Sequence, residues 1–184
     1  MQANIFNRSF YLFLVKFLTM FLMFYYGTRF VISASAPNGS FYSPFFEKYI
    51  DYISWMRNLL LQGASLIAQL FGYKTQYEDP FLIRVVNGRG VFVAFSCVGY
   101  GVMSFWSAFV LANRWIFPFT LIWLIVGNLV IVTINIFRIG LFLVAINKNV
   151  NFPFGIDHHT WFNIVAYVAI FALIFFYEKK LKLK

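Results

Sequence analysis

Residues 118–146 run for about 29 positions with Arg138 as the only charged side chain. As a helix this stretch would reach about 43 Å, more than the roughly 30 Å hydrocarbon core of a bilayer. Pro118 suits a first helical turn. Residues 10–32 form a second such run, with Lys16 and Arg29 near its ends, where long cationic side chains can reach the headgroups. Residues 159–177 form another, and 97–112 a shorter one that stops at Asn113-Arg114-Trp115. Only 11% of the chain is charged and its mean hydropathy is +0.75, whereas a soluble domain carries about 25% charged residues. The expected fold is therefore an all-α polytopic membrane protein with about four transmembrane helices, folded as a single domain over 1–184.

The segments between the spans are less uniform. Residues 45–73 are apolar but interrupted by Glu47, Lys48, Asp51, Arg57, Gln62 and Gln69, which favours an amphipathic helix at the interface over a further crossing. Residues 73–80 read as a polar loop. In 81–96, β-branched residues flank Asn87-Gly88, a pattern that predicts a small β-hairpin before the Cys97 helix. The formal charge of +9 does not indicate nucleic acid, because four of the 15 basic residues are lysines within the last six positions. That cluster reads as an anchoring tail and puts the C-terminus on the cytoplasmic side. Four spans then leave the N-terminus inside; a crossing by 45–73 would reverse it. The apolar N-terminus has no small-residue cleavage site and reads as a retained helix rather than a signal peptide. A single cysteine excludes an intrachain disulfide.

Three chemistries fall at one face under this topology. Cys97 lies where the second span enters, and unpaired N–H groups at a helix start would favour its thiolate; a lone cysteine is otherwise a small buried hydrophobe. From there Gly101, Ser104 and Ala108 recur at helical spacing and would admit a close neighbour. Arg138 lies about eight residues before the end of its span; a charge there costs up to about 2.5–3.5 kcal/mol at mid-bilayer and less toward the edge. It shares a face with Asn128 and Asn135, a polar stripe turned into the bundle; the competing reading is a snorkelling arginine. His158 and His159 open the last span, with Asn163 one turn beyond His159. A zinc site from Cys97, His158 and His159 is disfavoured because adjacent helical histidines diverge and no fourth ligand is evident.

These pieces resemble the exosortase and archaeosortase family of membrane-embedded sorting enzymes, in a short form of the kind found in Bacteroidetes-type bacteria. The resemblance runs from about residue 59 to 177. It rests on the apolar helix before a hairpin, Ser96-Cys97-Val98-Gly99 after a run of valines, Asn135-Ile136-Phe137-Arg138, and a histidine opening the last helix. It implies a cysteine peptidase or transpeptidase of the bacterial inner membrane, multi-pass, with its active site facing the periplasm. Its partners would be the lipid bilayer and exported proteins ending in a tripartite sorting tail: a short motif, an apolar helix and a basic end. The acyl group would pass to an acceptor amine or to water. By position Cys97 would be the nucleophile, Arg138 the stabiliser of negative charge and His159 the acid and base, with His158, Asn135, Asn163 and Gly99 in support. No cofactor or metal is implied. Cys97-Val98-Gly99 replaces the family's common Cys-Ser-Gly, so no hydroxyl is available at 98. The alternative is a non-catalytic assembly partner, or a small carrier that binds an anion through Arg138.

Overall fold

In the computed structural model, residues 8–37, 39–148 and 158–183 are described, without the side chains of 158, 159 and 161–163. The chain is mostly helical with one small sheet, and it divides into two compact units, Met1–Ile50 with Tyr100–Asn128, and Asp51–Gly99 with Leu129–Lys184. Among the described residues, two helices are long and apolar enough to cross a membrane: α1 (Arg8–Ser35) and the helix Phe119–Asn147.

In the first unit, α1 runs past the expected break at Ser33 to Ser35, two residues before Pro37, whose ring cannot continue a helix. A short helix, α2 (Pro44–Tyr49), follows, with proline in its first turn. α4 (Tyr100–Ala112) lies antiparallel to α1 along an aromatic seam. Phe13 meets Phe109, Phe17 and Phe21 meet Phe105, and Tyr25 meets Tyr100, with centroids 5.2–6.4 Å apart. That spacing is the usual range for attractive ring pairs. Gly101 faces Tyr25, while Ser104 and Ala108 are buried. Residues 119–128 begin the long helix, named α5 below. Here Trp106 is fully buried and its Nε1 donates to the Trp123 carbonyl at 3.1 Å. A side chain at Gly127 would run into that indole. Asn128 donates to Ser107 Oγ and to the Leu124 carbonyl.

The second unit opens with α3 (Tyr52–Leu70), capped by Asp51, whose carboxylate accepts from Ser54 N at 3.0 Å. The expected single segment over 45–73 is thus two helices, α2 and α3, separated at Ile50-Asp51. One stripe of α3 is buried: Ile53, Arg57, Leu60, Leu61, Ala64 and Ala68. Gly63 faces Ile136, and Gly140 of α5 (Phe119–Asn147) faces Ile67 and the Ala64 carbonyl, so the two helices run side by side in the same direction.

The region read as a polar loop, 73–80, instead contains a strand. β1 (Thr75–Asp79) pairs antiparallel with β2 (Leu82–Val85), which pairs with β3 (Gly90–Phe92). The expected hairpin is β2–β3, reversed through 86–89, where Asn87 takes a left-handed φ of 59°. Glu78 and Arg84 are ion-paired at 2.6 Å across β1 and β2. The last helix, α6 (His158–Leu181), extends beyond the expected 159–177 and takes in Glu178 and the first lysines of the tail. Lys179 and Lys180 in its final turn complement the negative end of the helix dipole.

Candidate functional site

The site lies in the second unit and is built on a single turn. After β3 the chain forms a 3-10 turn, Phe95–Val98, in which Cys97 N donates to the Ala94 carbonyl at 2.9 Å. Gly99 follows at φ 84°, a left-handed conformation that glycine adopts without penalty, and α4 starts at Tyr100. Cys97 therefore does not open a long helix, as the sequence suggested. It sits in a tight turn two residues ahead of Gly99, half-buried, beside an exposed Ser96.

This turn is fastened to α5. The Asn135 amide is buried, and its Nδ2 donates to the Val98 carbonyl at 3.1 Å. Gly99 lies directly against the same amide, where a Cβ would collide with Nδ2. Left-handed backbone and close approach thus both demand glycine at 99. Arg138, half-buried, lies one turn further along α5 on the same face as Asn135. Of the expected site residues, Gly99 and Asn135 touch; Cys97 stands two residues before Gly99 in the same turn, and Arg138 one turn beyond Asn135 on the helix. Asn128, by contrast, spends its amide on Ser107 and Leu124.

His158 and His159 form the start of α6, and Asn163 lies in its second turn. Their side chains fall outside the described residues, and with them the choice between the two histidines and the zinc alternative. Residues 149–157, between α5 and α6, also lie outside the described residues.

Two residues that the sequence did not single out hold the same region. Asn147, at the end of α5, accepts from Arg89 N at 2.8 Å and donates to the Arg89 carbonyl at 3.2 Å. Arg89 Nη1 reaches the Ile146 carbonyl at 3.4 Å. The β2–β3 reversal is thereby stapled to the end of α5, as the Cys97 turn is stapled at Asn135, 12 residues or about 18 Å earlier. Arg57, on α3, lies over the rings of Phe81 at 3.8 Å and Phe95 at 5.1 Å. An available signal was its place in the apolar stripe of α3 between Ile53 and Leu60. A separate cleft of about 360 Å³ between α3 and β1 is lined by Asn58, Gln62, Tyr77, Glu78 and Asp79 among others, and among the described residues it takes in neither Cys97, Gly99, Asn135 nor Arg138.

Compared with known proteins, the chain matches no family model, no curated protein and no solved structure.

Proposed function

We propose that this chain is a membrane-embedded cysteine peptidase or transpeptidase of the exosortase and archaeosortase type, cleaving C-terminal sorting tails of exported proteins at the periplasmic face of a bacterial inner membrane. The observation that carries the reading is the Asn135 bond to the Val98 carbonyl. It closes the Cys97 turn onto the helix that bears Arg138, one helical turn from the anchor.

The length of α5 supports a site at the membrane boundary. Its 29 residues reach about 43 Å, roughly 13 Å more than a bilayer core. The stretch from Asn135 to Asn147 has its own protein cover, α3 on one side and the charged hairpin on the other. That covered end takes up the excess and leaves Asn135, with the turn it holds, close to the lipid edge. In this reading α1, α4 and α6 are the other three spans, α4 the short one, since its 13 residues reach about 20 Å.

The chemistry then follows from the side chains. The Cys97 thiolate attacks the scissile carbonyl, and a C–S bond forms as the carbonyl π electrons move onto oxygen. Arg138 supplies guanidinium N–H donors to that oxyanion, in surroundings with little water to compete. As the C–N bond breaks, His159 gives a proton to the leaving amine, and the tail departs. An acceptor amine or water, deprotonated by the same imidazole, attacks the thioester and returns the thiolate.

Cleavage of a tail-bearing reporter in membranes tests the proposal. Cys97→Ala should abolish cleavage at unchanged protein level, and thiol alkylation should do the same to the wild type. Full cleavage by Cys97→Ala would remove the enzyme and leave the assembly-partner or carrier reading.

A further inference from the structure

Arg57 is only 4% exposed. Its Nη2 donates to Ser54 Oγ at 3.3 Å, while Nε and Nη1 have no hydrogen-bond partner among the described residues. Burial lowers the guanidinium's proton affinity, an effect opposed by the charges of Asp51 and Asp79; an arginine stays a cation even so. A buried cation with two idle nitrogens needs compensation, and here two aromatic faces supply it. Phe81 and Phe95 also meet edge to face at 5.4 Å, so guanidinium and rings form one cluster. Phe95 is the first residue of the 3-10 turn, and Cys97 is two positions on.

We infer that Arg57 is a positioning residue for Cys97: set 3.8 Å over Phe81, which packs edge to face on Phe95, and 5.1 Å over Phe95 itself, it fixes the entry of the turn, while Asn135, bonded to Val98, fixes the exit. Between these anchors only Ser96 and Cys97 remain, the exposed and half-exposed positions. A planar cation suits this place because it can pack close over the Phe81 ring, here 3.8 Å from the centroid, whereas an ammonium group is a compact point charge. The inference rests on Cys97 being the nucleophile, but it concerns the turn and can be read without catalysis.

The chain in membrane vesicles provides the test, since its single cysteine makes iodoacetamide alkylation a direct report on Cys97. Arg57→Met and Phe95→Leu should each shift the alkylation rate by about tenfold, the size expected for a desolvated cation–π contact. The double variant should do no more than either alone. Arg57→Lys should lie between Met and wild type. In the reporter assay, normalised to folded protein, kcat should fall while KM holds. If Arg57→Met does not accumulate, Arg57→Lys against Phe95→Leu carries the same comparison. Unchanged alkylation in the Arg57 variants, or effects that add in the double variant, would overturn the inference. A wild type that never cleaves the reporter defeats the peptidase reading instead, and the alkylation cycle still decides the role of Arg57.

Discussion

Gly99, Asn135 and Arg138 make separable demands. At Gly99 an alanine would hold a left-handed φ of 84° at a cost of about 1–2 kcal/mol, and would also press on the Asn135 amide. Gly99→Ala should therefore lower cleavage as well as the midpoint of chemical unfolding in detergent. Asn135→Leu keeps the bulk but strips the Val98 carbonyl of its donor, which costs about 1–3 kcal/mol where the group is buried. Because the two residues touch, their effects should not add; a strictly additive double variant would mean that the bond and the close approach are independent. Arg138→Lys keeps charge but loses the planar fork of donors, so the cleavage rate should drop roughly a hundredfold, or about 3 kcal/mol, at normal abundance. Near-normal cleavage by that variant would return Arg138 to a snorkelling role.

Among the elements, the hairpin depends most on one side chain. Asn147 joins the backbone of Arg89 through two hydrogen bonds, each with a net worth of about 0.5–1.5 kcal/mol. Asn147→Ala should accordingly speed amide exchange across 86–90 while leaving α3 protected; unaltered exchange there would show that the sheet needs no staple. How far these elements are legible in the sequence depends on what signal each leaves. The α1 and α5 helices announce themselves through long apolar runs, and the β2–β3 reversal through Asn87-Gly88. β1 leaves no such trace, because nearly all its side chains are exposed and no alternation of apolar and polar residues arises. The 3-10 turn at Cys97 is hidden for a different reason. Val98 looks like the start of an apolar helix, and only Gly99 at φ 84° delays that start to Tyr100. Asn135 can be seen as a polar residue on an apolar helix, yet its partner lies 37 positions away and no local pattern connects them. Arg57 reads as a charge that makes its helix too polar, whereas in the fold two phenylalanines from later segments cover it.

At the scale of the molecule, the lysine-rich end of α6 and the proposed reaction favour the same topology, against which stand Lys48, Lys74, Arg84 and Arg89, basic residues that it would leave outside. Lys179, Lys180 and Lys182 cluster at the end of α6, and such clusters stay on the cytoplasmic side. Glu78, Arg84 and Arg89 belong to the sheet fastened along the end of α5, a surface that must sit in water. If exported proteins are cut there, that water is periplasmic. Gln76 is exposed on β1 and Lys182 is exposed past the end of α6, so each can carry a reporter thiol without disturbing packing. In a Cys97→Ala background, Gln76→Cys should react with a membrane-impermeant maleimide added outside sealed spheroplasts. Lys182→Cys should react only after the membrane is permeabilised. The reverse pattern would put the Cys97 turn on the cytoplasmic side, out of reach of exported substrates, and the sorting reaction would fail with it. Labelling of both positions from outside would mean that α6 does not cross, which leaves His159 outside but overturns the four-span topology and the cytoplasmic place of the lysine cluster.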